Sequence, residues 1–366
     1  MTTQTWIFFV LGFIALLVGA EFLVRGASKM AARLGISPLV IGLTVVAFGT
    51  SSPELAVSVQ GAWSGAAAVS LGNVLGSNVF NILLVLGLSS LVAPLMVARQ
   101  LVRIEVPLMI VSTLALAFFV RDGVLDRFDG ALLFITVVIY TIYAVRSSRA
   151  ESRLTEDVSG SAESREEDET AASLPLQILF LVVGFIMLMV GSDWLVQGAV
   201  TIATAMGLSE RVIALTLVAA GTSLPEIATS VMASVRGERD IAVGNAIGSN
   251  LFNLLTVLGF AALVAPEGIA AGAGVLDFDL PVALFVALIC WPIFVRSFVI
   301  SRMDGVLLCG LYLLYMVYLA ATTGEVSWQA ELHAFISSIL VPALLTILGI
   351  MAFLGIRKRA RGDSTR

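Results

Sequence analysis

The chain has 366 residues, of which 58% are hydrophobic and only 13% are charged, and its formal net charge is −5 at pH 7. A soluble domain is about 45–50% apolar and about 25% charged, so this composition favours a membrane protein and argues against an ordinary soluble domain. Cys290 and Cys309 both lie in apolar runs, which favours buried packing over a disulfide or a metal site.

Long apolar runs predict helices that cross a membrane, because about 20 apolar residues span the hydrocarbon. The runs are continuous rather than alternating, which argues against a β-barrel. The first run lacks the basic region of a cleaved signal peptide and is expected to be retained. The prediction is an all-α multi-span membrane protein of ten core spans plus one extra C-terminal span, at 5–24, 38–61, 67–92, 104–120, 128–145, 175–198, 210–235, 241–265, 280–296, 303–321 and 334–356.

Lys and Arg are distributed asymmetrically between the two sides of the predicted membrane. With the N-terminus outside, 18 of the 21 Lys and Arg residues lie on the inside, as the positive-inside rule expects. We therefore expect a prokaryotic inner or cell membrane protein, embedded in lipid, with a cytoplasmic basic tail at 357–366. Residues 146–174 carry eight acidic and four basic side chains and few large apolar ones, which predicts a disordered cytoplasmic linker.

Two copies of one pattern lie 172 residues apart. GTSSPE at 49–54 returns as GTSLPE at 221–226, and GNVLGSNVFN at 72–81 returns as GNAIGSNLFN at 244–253. A register this long without a gap indicates a duplication. Five predicted spans separate each residue from its counterpart, so the two halves are expected to have opposite orientations, as in secondary transporters that bind substrate near the midplane. The predicted halves are 1–145 and 175–321, and the span 334–356 lies outside them.

Each GTSxPE motif interrupts a predicted span with residues suited to ion binding. Pro53 and Pro225 are expected to break the helix and leave nearby carbonyls free, which is tolerated only in a protein interior or a wet cavity. Glu54 and Glu226 add one carboxylate each, and the neighbouring hydroxyl and amide groups complete an all-oxygen set. Such a set suits a hard cation such as Ca²⁺ rather than zinc or copper.

The neighbouring GxxxGSNxxN motifs are expected to combine helix packing with ion ligands. Asn78 and Asn250 point away from the face shared by the motif's Ser and final Asn, so a structural role is expected for them. Glu105, Asp277 and Asp279 lie at span ends and are expected to be solvated. Four glycines form small-xxx-small pairs that allow close helix approach: Gly72, Gly76, Gly244 and Gly248.

These motifs resemble the two α-repeats of the cation/calcium antiporter superfamily, especially the sodium/calcium exchangers and their prokaryotic relatives. The resemblance covers about 12–94 and 184–266. It implies two inverted five-helix halves that exchange sodium for calcium by alternating access, with the first and sixth helices sliding past a fixed core. Carried over by position, the implied ion ligands are Ala47 (carbonyl), Thr50, Ser51, Glu54, Ser77, Asn81, Ala219 (carbonyl), Thr222, Ser223, Glu226, Ser249 and Asn253.

Some relatives carry Asp at the position of Asn253, whereas this chain has two carboxylates and no third, which argues against potassium coupling. The alternative function is a proton-coupled calcium or cation antiporter that uses the same glutamates, because a carboxylate in a low-dielectric site can hold a proton. A channel or scaffold is disfavoured by the inverted repeats. No enzyme activity, cofactor or nucleic-acid partner is expected; the expected substrates are Ca²⁺ and Na⁺, with H⁺ as the alternative coupling ion.

Overall fold

The computed structural model describes residues 3–64, 68–159, 174–206, 219–324 and 329–344, and the positions 346–347, 349–350 and 353. Within these residues, eight helices are long and apolar enough to cross a membrane, and α2 with α3 forms a ninth, broken span bent by 47°. The helices are α1 Thr3–Leu34, α2 Pro38–Thr50, α3 Ser52–Trp63, α4 Val69–Val92, α5 Leu101–Asp122, α6 Arg127–Ser159, α7 Leu174–Ala205, α8 Leu224–Val235, α9 Arg239–Val264, α10 Val275–Ser297, α11 Arg302–Gly324 and α12 Gln329–Phe335.

Four two-residue strands join the two sequence repeats. Strand β1, Leu95–Met96, pairs antiparallel with β4, Val299–Ile300. Strand β2, Val124–Leu125, pairs antiparallel with β3, Ile269–Ala270. Strands β1 and β3 follow the corresponding helices α4 and α9. Each sheet therefore contains one strand from each repeat, and the repeat relates the strands of one sheet to those of the other.

The counterpart helices α1 and α7 run antiparallel in direct backbone contact. A Cβ atom added at Gly19 would lie 2.9 Å from the carbonyl oxygen of Gly184, and one added at Gly12 would lie 2.9 Å from that of Gly191. Glycines seven residues apart lie on nearly the same helix face, so this spacing keeps the backbones close over several turns.

The described helices coincide with most of the predicted spans. Residues 210–218, which begin the predicted span 210–235, and most of the second half of the predicted span 334–356 lie outside the described residues. Helix α6 continues to Ser159, past the predicted span end at 145 and into the predicted linker. Seven of the fourteen residues 146–159 are Arg, Glu, Ala or Leu, whose high helix propensity favours continuation of the helix past its apolar part. Residues 160–173 of the predicted linker lie outside the described residues.

Candidate ion-binding site

The broken helix brings a glutamate to a helix N-terminus in each repeat. Helix α2 ends at Thr50, and Ser51 has φ −85° and ψ 9° before α3 begins. Pro53 lies in the first turn of α3. A backbone N–H there would have no acceptor within the helix, so the missing N–H of proline costs no helical hydrogen bond. Glu54 and Glu226 lie in the first turns of α3 and α8, where the positive end of the helix dipole favours a carboxylate.

Each glutamate is bonded by a serine from the opposite repeat. Ser51 donates its hydroxyl to Glu226 Oε1 at 3.0 Å, and Ser223 donates to Glu54 Oε1 at 2.9 Å. Both carboxylates are fully buried. In the described part of the chain, neither forms an ion pair with Lys or Arg.

The second oxygen of each carboxylate has no hydrogen-bond partner in the described protein. Burying two like charges without compensation is costly, and the cost falls when a cation lies between them. Glu54 Oε2 and Glu226 Oε2 are thus available to a shared ligand of positive charge.

Hydroxyl groups from α4, α9 and the two breaks surround the carboxylates. Ser77 donates to Glu54 Oε1 at 3.4 Å, and Ser223 Oγ lies 3.2 Å from Ser77 Oγ. Thr50 Oγ1 lies 3.3 Å from Ser249 Oγ. These groups are hard oxygen donors at the level of the glutamates, the type that Ca²⁺ and Na⁺ prefer.

Asn81 and Asn253 each begin a π-helical turn, which widens the helix and is frequent at functional sites. Both are fully buried. Asn253 donates to Asn78 Oδ1 at 3.2 Å, and its own Oδ1 has no partner among the described residues. The two amide atoms of Asn81 also have no partner there. The structure therefore leaves amide oxygens available in this region, although neither residue hydrogen bonds to a glutamate.

Several of the carbonyls expected to be free are occupied, among them those of Ala47 and Gly221. The Ala47 carbonyl accepts the N–H of Ser51 at 3.0 Å, because the helix closes a last turn before the break. The Gly221 carbonyl, which Pro225 cannot bond, accepts the hydroxyl of Ser192 at 2.6 Å. The prediction of free carbonyls was wrong at these two positions, although the Ala47 oxygen keeps capacity for a second ligand. For Ala219 the structure describes only the helical backbone.

The glycine pair of the second repeat lies in close contact with another helix backbone. Cβ atoms at Gly244 and Gly248 would lie 2.7 Å from the Leu39 carbonyl oxygen and 2.6 Å from Leu43 Cα. Gly72 and Gly76 have no neighbour this close among the described residues. The repeat offset places their expected partners at 211 and 215, outside the described residues, so their packing role remains a prediction.

Asn78 and Asn250 have the structural role expected for them. Asn78 Nδ2 donates to the carbonyl of Asn250 at 3.3 Å, and Asn250 Nδ2 donates to that of Asn78 at 3.2 Å. This reciprocal pair ties α4 to α9 beside the glutamates.

The sequence reasoning missed Asn73 and Asn245, each of which bonds the turn that carries a glutamate. Asn73 Nδ2 donates to Ser58 Oγ at 3.2 Å and to the Glu54 carbonyl at 3.4 Å. A signal was present, because Asn73, Ser77 and Asn81 are spaced four apart and so share one helix face.

Glu105 is not solvated as expected but fully buried. Gln100 Nε2 donates to its Oε1 at 2.6 Å, and the Tyr140 hydroxyl donates to the same oxygen at 3.2 Å. Local hydrogen bonds thus replace water at this span end, so a position near a predicted boundary did not indicate exposure.

An all-α membrane protein with broken helices and paired buried carboxylates has the architecture of an ion transporter. The model of the family described as "Sodium/calcium exchanger protein" matches residues 4–146 and 176–321. The chain belongs to this family of cation/calcium antiporters, which is a transporter family rather than an enzyme family.

Individual relatives and a solved structure agree with this assignment. The chain is 38% identical to a putative antiporter, CaxA, of Alkalimonas amylolytica, over 86% of this chain and 98% of that protein. It is 38% identical to the inner membrane protein YrbG of Escherichia coli strain K12, over 85% and 95%. The structure of the sodium-calcium exchanger NCX_Mj soaked with zero Na⁺ and Ca²⁺ matches with a TM-score of 0.73 and 30% identity, over 87% of this chain and 100% of that one.

Proposed function

We propose that this protein exchanges Na⁺ for Ca²⁺ across the membrane by alternating access, at one site between the two repeats. The observation that carries the proposal is the crossed pair in which Ser51 bonds Glu226 and Ser223 bonds Glu54. Each glutamate keeps one unpartnered, buried oxygen. Two carboxylates balance the charge of one Ca²⁺ or of two Na⁺ ions, so both ions can occupy the same place in turn.

The proposed ligands are the twelve residues assigned by position, with the two carboxylates as the principal charges. The hydroxyls of Ser51, Ser77 and Ser223 bond the carboxylates, and those of Thr50 and Ser249 lie 3.3 Å apart, which supports this assignment. Ala219 and Thr222 are included because they correspond to Ala47 and Thr50 in the other repeat. The Ca²⁺ shell of six to eight oxygens can be filled from this set without a dedicated rigid cage.

The proposed architecture is two inverted five-span halves, 1–145 and 175–321, with an extra span at 334–356 and a cytoplasmic C-terminus. The antiparallel contact of the counterpart helices α1 and α7 supports the inversion. The family assignment and the relation to NCX_Mj support sodium as the coupling ion.

The experiment is calcium-45 uptake into proteoliposomes that contain the full chain. Vesicles loaded with Na⁺ are compared with vesicles loaded with K⁺ and with vesicles carrying only a pH gradient. We expect uptake only with the outward Na⁺ gradient, and none in Glu54→Gln or Glu226→Gln. Uptake driven by the pH gradient without Na⁺ would contradict sodium coupling and support the proton-coupled antiporter instead. Normal uptake in both variants would show that the glutamates are not part of the ion site.

A further inference from the structure

Asn245 contacts both repeats at once. Its Nδ2 donates to Ser230 Oγ at 2.9 Å and to the Glu226 carbonyl at 3.4 Å, both within its own repeat. Its Oδ1 accepts the hydroxyl of Thr50, from the other repeat, at 3.0 Å. Asn245 is fully buried, and its two acceptors on one side fix which end of the amide faces Thr50.

This contact sets the direction of the Thr50 hydroxyl. A threonine hydroxyl has a single hydrogen, and the Asn245 oxygen is its nearest acceptor, closer than the Ala47 carbonyl at 3.4 Å. When Thr50 gives its hydrogen to Asn245, Ser249 is the donor in their 3.3 Å contact. The lone pairs of Thr50, rather than its hydrogen, then face Ser249.

The corresponding bond does not occur in the other half. Asn73 makes the same two contacts to its own glutamate turn, with Ser58 Oγ and the Glu54 carbonyl. Within the described residues, however, the hydroxyl of Thr222, the counterpart of Thr50, makes no hydrogen bond to Asn73. The cross-repeat bond is therefore found once, at Asn245, and Asn73 provides a matched comparison.

We infer that Asn245 is a positioning residue that holds the Thr50 oxygen toward the bound cation and ties it to the turn that carries Glu226. The inference rests on the proposed function, because it assigns Asn245 to the same ion site. Its consequence is that the effects of changing Thr50 and Asn245 on cation affinity are not independent. Residues joined by a hydrogen bond show such coupling, whereas separate sites contribute independently.

The test is a double-mutant cycle on equilibrium calcium-45 binding to the purified full chain. Thr50→Val removes the hydroxyl at constant shape, and Asn245→Leu removes the amide at similar volume. Each single variant is expected to weaken Ca²⁺ binding by about tenfold, the loss of one hydrogen bond to a site group. The double variant is expected to bind at least about threefold more tightly than the product of the two losses predicts.

In the matched cycle, Thr222→Val with Asn73→Leu, the two losses of Ca²⁺ affinity are expected to multiply without coupling. Thr50→Ser keeps the hydroxyl and is expected to preserve tight binding. Thermal melting checks that each variant is folded, and Asn245→Ala replaces Asn245→Leu if the leucine variant does not fold. The inference is overturned if the two losses of affinity in the Thr50–Asn245 cycle simply multiply, or if both cycles show equal coupling. In either case, Ca²⁺ binding by the wild-type protein leaves the proposed function standing. Wild-type protein that binds no Ca²⁺ would overturn the proposed function, and this inference with it.

Discussion

Ser51 donates a hydrogen bond to Glu226 at 3.0 Å, so a helix break in one repeat bonds the carboxylate of the other. Ser223 does the same for Glu54 at 2.9 Å. This exchange means that neither repeat holds a complete set of contacts to its own glutamate. The two repeats must stay together for either carboxylate to keep its donor from the opposite repeat.

Loss of either serine hydroxyl is expected to weaken Ca²⁺ binding by about tenfold. Ser51→Ala leaves Glu226 without this donor, and a hydrogen bond to a charged group contributes about 1.5–3 kcal/mol. Isothermal titration of the purified protein with Ca²⁺ measures the effect. Ser52→Ala is the matched control, because in the described part of the chain Ser52 donates to the Phe48 carbonyl, at 2.8 Å, and not to a glutamate. Equal losses in Ser51→Ala and Ser52→Ala would contradict a direct role for Ser51.

The contact between α1 and α7 is expected to tolerate no side chain at its centre. Gly19→Val would place Cβ 2.9 Å from the Gly184 carbonyl oxygen, and overpacking of this kind costs about 1–3 kcal/mol. The expected result is a lower melting temperature in detergent. Gly310→Val is the control, because a Cβ at Gly310 meets no described atom within 4 Å. Unchanged melting of Gly19→Val would show that the two backbones are not in contact.

Glu105 is expected to contribute to stability without contributing to ion affinity. Glu105→Gln removes the negative charge that Gln100 and Tyr140 now bond, and Tyr140→Phe removes one of the two donors. Each change is expected to cost about 1 kcal/mol, measured by thermal unfolding. The KM for Ca²⁺ in the vesicle assay should remain within about twofold of wild type. A tenfold rise in KM would assign Glu105 to the transport path.

The sequence alone was sufficient to locate the two helix breaks and the two glutamates. Repetition at a fixed offset distinguishes a built site from an incidental proline kink, because the same polar residues occur twice in apolar surroundings. The Ser77 and Asn81 face followed from helical periodicity, and the structure places Ser77 against Glu54.

Contacts between helices could not be predicted in this way. The bond from Ser192 to the Gly221 carbonyl depends on how α7 crosses the start of α8, and no local pattern encodes that crossing. The Thr50–Asn245 contact depends likewise on the docking of α2 against α9. Glu105 was misjudged for a related reason: its burial comes from Gln100 and Tyr140, and Tyr140 lies 35 residues away on α6.

The most direct test of the account is displacement of bound calcium-45 by Na⁺ from the purified wild-type protein, Glu54→Gln and Glu226→Gln. The account predicts that wild type binds Ca²⁺ and releases it as Na⁺ is raised, with K⁺ ineffective at the same ionic strength. It also predicts that both variants lose Ca²⁺ binding, because one remaining carboxylate cannot balance a divalent ion in a buried site. Retention of Na⁺-sensitive Ca²⁺ binding in both variants would contradict the assignment of the ions to the paired glutamates.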